Sequence, residues 1–97
     1  MNEELKKNDT KVNAEELSFL SLIYSLSQAA WSWLGKQAHP TSNQIQKDLV
    51  QAKSMIDMLR MLQKKTQGNL NSKEQQILEG ILADLELNYV EESSKNS

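Results

Sequence analysis

Polar and apolar positions along this chain repeat with the period of a helix, in three blocks. In the first block Ser18, Ser21, Ser25, Gln28 and Ser32 recur at intervals of three and four. On a helix they share one stripe about 80° wide, at about 100° per residue. Leu17, Phe19, Leu20, Leu22, Ile23, Tyr24, Leu26, Trp31, Trp33 and Leu34 fill the rest of the circumference. In the second block Leu49, Ala52, Ile56, Leu59 and Leu62 fall on one stripe, with Met55 beside them. In the third, Ile77, Leu78, Ile81, Leu82, Leu85 and Tyr89 line one face, opposite Gln75, Glu79, Asp84 and Glu86. The pattern predicts an all-α fold with helices at about 14–37, 44–67 and 72–91. A long apolar first helix is expected to pack on an antiparallel helical hairpin.

Local chemistry supplies the expected ends. Asn13 with Glu16 has the spacing of a capping box and predicts the first start. Pro40 disfavours helical geometry at His39, so the first helix should stop near Gln37. Asn43 with Gln46 and Asp48 with Gln51 both fit a cap for the second helix. Asp48 fits better, because its carboxylate also meets the positive end of the helix dipole. Lys64 and Lys65 fall in the last turn, and Gly68 can take the left-handed conformation that ends a helix. Asn71 with Glu74 caps the third helix, and the link from Gly68 to Asn71 suits a helical hairpin. Residues 1–12 and 93–97 show no apolar face and read as disordered tails of one domain spanning 13–92.

The first helix is unusual. From Leu17 to Gly35, 19 residues, there is no charge. A helix apolar on most sides must be surrounded, and two neighbours burying one stripe each leave part of it bare. A second copy of the chain, another helical protein or a membrane could cover the remainder. Five Ser and one Gln make the segment a poor membrane span, and Glu15, Glu16 and Lys36 give no strong flanking charge signal. Membrane contact is therefore not expected. Trp31 and Trp33 point roughly 200° apart, so one is expected in the core and one toward a partner or solvent. Val50, Met58 and Met61 fall off the core stripe of the second helix and form a second candidate contact patch.

Composition narrows the function classes. A chain of 97 residues is one domain. It has no Cys, which excludes disulfides and thiolate chemistry and points to the cytoplasm. Net charge is -2, so the basic excess of a nucleic-acid binder is missing. Charge is also split: residues 45–67 carry five basic and two acidic groups, residues 72–92 one basic and six acidic. Opposite signs suit the two arms of a hairpin. His39 is the only His, has no partner for a triad or metal site, and reads as an exposed loop residue. Asp57 sits among Lys53, Arg60 and Lys64 at helical spacing and reads as a solvated charge stripe. Lys64 to Leu70 lacks phosphate-loop spacing, and the helix after it is acidic. No catalytic, cofactor or metal site emerges. The expected function is a non-enzymatic interaction module that forms a homo-oligomer through its first helix. Its candidate interface is Ser18, Ser21, Ser25, Gln28, Trp31, Ser32 and Trp33, with Met58 and Met61. An adaptor for another helical protein and a peripheral membrane protein are the alternatives.

The segments from Ser18 to Ala30 and from Asp48 to Leu70, with the closing Leu85-Glu-Leu-Asn-Tyr-Val, resemble a bacterial family called domain of unknown function 1844. Ile56-Asp-Met-Leu and Lys65-Thr-Gln-Gly-Asn-Leu are the most specific parts, and the resemblance spans about residues 17–91. It implies a short helical bacterial protein and carries no catalytic residue over. The family often has Pro after the cap of the last helix. Ser72 stands there in this chain, which touches only helix stability.

Overall fold

The computed structural model describes residues 2–95, with side chains described from Ala14 onward. It contains three helices, α1 (Asn2–Trp33), α2 (Leu49–Lys65) and α3 (Ser72–Lys95), and the fold is all-α.

Side-chain pairs fix the topology. Glu16 of α1 accepts from Asn71 Nδ2 at 2.9 Å and pairs with Lys73 at 3.3 Å, both at the start of α3. Lys36, just past α1, pairs with Glu92 near the end of α3 at 2.9 Å. α1 and α3 therefore run parallel. Arg60 of α2 pairs with Glu86 of α3 at 2.8 Å across a short turn, so α2 runs antiparallel to both. The core lies between the three helices. Leu20, Ile23, Ala30 and Leu34 come from the first segment, Ala52, Ile56 and Leu59 from α2, and Leu78, Leu82 and Leu85 from α3. The α2 and α3 sets recur at three and four, and buried Ser27 fills the same rhythm between Ile23 and Ala30, so each helix offers one stripe.

The helix ends differ from the sequence expectation in several places. α1 starts at Asn2 rather than after a cap at Asn13, which lies inside the helix. Residues 2–12 hold no Gly or Pro, so nothing interrupts a helix propagating outward from the bundle. The expected tail 1–12 is thus helical from Asn2, while Met1 lies outside the described residues. α1 ends at Trp33, not near Gln37, because Gly35 stops it with φ +81°. Gly35 N–H donates to Ser32 O at 3.0 Å and Lys36 N–H to Trp31 O at 3.0 Å. These two bonds form the glycine-terminated closure that satisfies the last carbonyls. A β-carbon at Gly35 would also lie 3.2 Å from Lys47 Cβ.

α2 begins at Leu49, so residues 44–48 are not helical. Asp48 Oδ1 accepts from Val50 N–H at 3.1 Å and Gln51 N–H at 3.2 Å. Asn43, the other candidate cap, instead has φ 55° in the preceding loop. α2 stops at Lys65, and Gly68 has φ +83°. Asn71 and Glu74 form the expected reciprocal box, with Glu74 N–H to Asn71 Oδ1 at 2.8 Å and Asn71 N–H to Glu74 Oε1 at 2.9 Å. α3 continues through Ser93–Lys95, which the sequence pattern placed in a tail; Asn96 and Ser97 lie outside the described residues.

Candidate interaction surface

The loop between α1 and α2 decides which part of α1 remains available. Its base is closed by Asp48 N–H donating to Trp33 O at 2.8 Å, so residues 34–47 form a compact excursion with adjoining ends. Within it His39 N–H donates to Gln44 O at 3.0 Å and Asn43 N–H to His39 O at 2.8 Å. His39 is buried, not exposed as its loop position suggested. Its ring lies 4.2 Å from that of Trp33, centroid to centroid, and Nε2 donates to Gln46 O at 3.2 Å. Gln37 folds back so that its Nε2 donates to Gln28 O at 3.1 Å.

The loop and the core take Ser32 out of the expected interface and leave Trp31 and Trp33 only partly exposed. Ser32 is fully buried and donates to Gln28 O at 3.0 Å. Trp31 and Trp33 are both half-buried against the core, so the expectation of one Trp inside and one outside is corrected. The two rings do diverge, but the bundle covers one flank of α1 and the loop, through His39, covers the other. What stays exposed on α1 is Ser18, Ser21, Ser25 and Gln28, flanked by Leu17 (63% exposed), Leu22 (46%) and Tyr24 (49%). No charge interrupts this face between Leu17 and Gln28.

The outer face of α2 carries Val50, Met58 and Met61, all exposed. Cations surround it. Lys53 is tied to Asp57 at 2.9 Å and Arg60 to Glu86, while Lys64 and Lys65 stand in the last turn. The carboxylate of Asp57 is thus a member of a solvated ion-pair stripe.

A third face escaped the sequence reading. Gln76, Gly80, Ala83, Leu87, Val90 and Ser94 of α3 are all exposed, with Leu87 and Val90 above 60%. Gly80 lies mid-helix, where Gly costs about 1 kcal/mol relative to Ala. A β-carbon there would meet nothing within 4 Å, so no contact inside the described chain requires its absence. The signal was present, because these six positions repeat at four and three, but the buried stripe at Leu78, Leu82 and Leu85 is stronger and dominates the pattern.

The densest charge cluster lies at the far end of the bundle. Glu92, with its side chain 7% exposed, receives Lys47 at 2.8 Å and Lys36 and Lys95 at 2.9 Å each. The hydrogen bonds from Lys47, then Lys36 and Lys95, hold its carboxyl well below the ordinary carboxylate range, against the opposing effect of desolvation. Glu16 is also lowered, chiefly by the hydrogen bond from Asn71. Lys95 is only three residues from Glu92, but Lys36 and Lys47, like Asn71 for Glu16, stand far away in sequence, so spacing alone gave no sign of them. Both carboxylate oxygens of Glu92 thus face an ammonium, an arrangement that clamps the loop to α3. Among the described residues no group of three or more His, Cys, Asp or Glu converges on one point. The hollow beneath the α2–α3 turn is lined by Gln63, Thr66, Gln67, Leu70, Gln75 and Glu79 among others. Its one hydroxyl, on Thr66, donates to Leu62 O at 2.6 Å.

Among the described residues no helix is long and apolar enough to cross a membrane. No curated protein and no solved structure matches the chain. A family model, described as a domain of unknown function (DUF1844), matches residues 16–91. That match takes in most of α1 from Glu16 on, the loop, α2 and α3 to Glu91, and the chain belongs to the DUF1844 family.

Proposed function

We propose that this chain is a non-enzymatic helical interaction module that associates with itself through the outer face of α1. One observation carries the reading: Leu17, Leu22 and Tyr24 are exposed on a helix face that holds no charge. The centres of protein interfaces are depleted in charged residues and enriched in aromatic ones. The exposed Ser18, Ser21 and Ser25 between them allow two helices to approach closely. The same reading makes the protein a cytoplasmic homo-oligomer that takes no cofactor and no nucleic acid and does not dock on membranes. The net charge of -2 and the absence of Cys support it.

Light scattering coupled to size-exclusion chromatography tests this directly. The wild-type chain is expected to run as a dimer or larger species at tens of micromolar, roughly the range of modest interfaces. Leu22→Glu with Tyr24→Glu, both at exposed positions, should shift it toward monomer without changing its helix content. A wild-type chain with the same mass as the double variant at every concentration rejects the role of α1.

A second reading, an adaptor for another helical protein, draws on Met58 and Met61. Exposed methionines adapt to varied partners, and the flanking lysines favour an acidic one. Affinity capture that is lost in Met58→Glu with Met61→Glu, but kept in the α1 double variant, would favour this reading.

A further inference from the structure

The outer face of α3 has a hidden symmetry. Its exposed positions Gln76, Gly80, Ala83, Leu87, Val90 and Ser94 are separated by four, three, four, three and four residues, the rhythm of a coiled-coil seam. Their midpoint is residue 85. Reflected about it, Gly80 falls opposite Val90, Ala83 opposite Leu87 and Gln76 opposite Ser94. Small and large side chains exchange places.

We propose that two copies of this chain pair α3 against α3, antiparallel, about a two-fold axis at Leu85. Every central layer then joins one small and one large residue, which is what close interdigitation requires. Parallel pairing would set Gly80 on Gly80 and Leu87 on Leu87, leaving a void in one layer and crowding in the other. The arrangement is isologous and closes on itself, so with the α1 contact removed it yields a dimer and not a filament. It also gives a use to the mid-helix glycine, whose missing β-carbon nothing in the described chain needs.

Area and charge set its strength. The seam is about 28 Å long at about 1.5 Å per residue and about 10–15 Å wide. Two such strips bury less than about 1,000 Å², the size of a weak, transient interface. On the flank next to α2, Glu86 is already neutralised by Arg60 at 2.8 Å. On the other flank Asp84 makes no ion pair among the described residues, and two copies of it meet at the axis. Salt screens that repulsion, so pairing tightens as salt rises.

The chain has no Cys, so single cysteines report the geometry cleanly. Gly80→Cys and Val90→Cys proteins, mixed at about 0.5 mM under mild oxidation, populate a weak complex of this size. The mixed Gly80→Cys/Val90→Cys disulfide is expected to dominate over both homodimers, more so at about 0.5 M salt, where the screening length falls to a few ångströms. A statistical mixture of the three products, or a majority of either homodimer, overturns the proposal. Gly80→Leu is the second arm. It enters open space and raises helix propensity, so the fold should become more stable, while association by sedimentation equilibrium weakens at least about tenfold from overpacking. Unchanged association in this variant, or association that weakens with salt as a basic partner surface would, also overturns it. Both arms are run with Leu22→Glu and Tyr24→Glu present, so that loss of the α1 contact leaves the α3 result readable.

Discussion

Gly35 shows how one residue sets the course of the chain. Its φ of +81° ends α1 and turns the backbone into the loop that buries His39 and covers Ser32. An alanine there must adopt a left-handed backbone and place its β-carbon 3.2 Å from Lys47 Cβ. Gly35→Ala is therefore expected to cost more than about 1 kcal/mol, because its native backbone is one alanine resists. For a domain of this size that is a fall in Tm of about 4–8 °C or more, read by circular dichroism. Gly68→Ala shares the positive φ but meets no neighbour, so it should cost less. Equal effects at the two glycines would show that the contact with Lys47 contributes nothing. Asn71 works at the same scale. Its side chain and that of Glu74 satisfy each other's backbone N–H, and Asn71→Ala should lose about 1 kcal/mol in urea titration.

Among the elements, the loop after α1 depends most on the clamp at Glu92. Lys36 and Lys47, one near each end of the loop, and Lys95 of α3 converge on this carboxylate. The folded state holds its pKa below the ordinary 4.5. The stability it supplies is therefore complete above about pH 4.5 and drains away as pH falls from there toward the folded value. Glu92→Gln should lower Tm at pH 7, and its gap to wild type should narrow below about pH 4 as the wild-type carboxylate takes up its proton. Thermal profiles that stay parallel from pH 7 to pH 3 would show that the cluster adds nothing to folding. The helix termini teach a related lesson. Asp48, Gly68 and Asn71 were legible because a cap is a local hydrogen bond or a local backbone preference. Asn13 misled because a good cap sequence does not end a helix when the residues before it can also be helical.

For the whole molecule the question is what the three outer faces do. α1 presents an uncharged face, α2 a basic one with two methionines, and α3 an acidic one with Leu87 and Val90. Association that favours the folded chain raises its apparent stability by mass action. Tm is therefore expected to climb with chain concentration, and the α1 and α3 variants should each remove part of that climb. A Tm independent of concentration across a hundredfold range would argue that the chain acts alone. Core truncation behaves differently. Leu59→Ala, at a fully buried site in the core, should cost about 2–5 kcal/mol at every concentration.

Three helices, their buried stripes and most of their caps were legible along the chain, because periodicity and capping act over a few residues of one segment. It also showed that α1 carries no charge from Leu17 to its end. How much of α1 stays exposed depends on contacts made when the segments come together. Ser32 is buried and Trp33 is covered by His39 because a loop returns over α1, and the clamp at Glu92 draws in Lys36 and Lys47, which only folding brings to it. The exposed seam of α3 likewise became visible only once the opposite stripe was seen to fill the core. Spacing along the chain shows which residues share a face, whereas what lies against that face depends on contacts between segments distant in sequence.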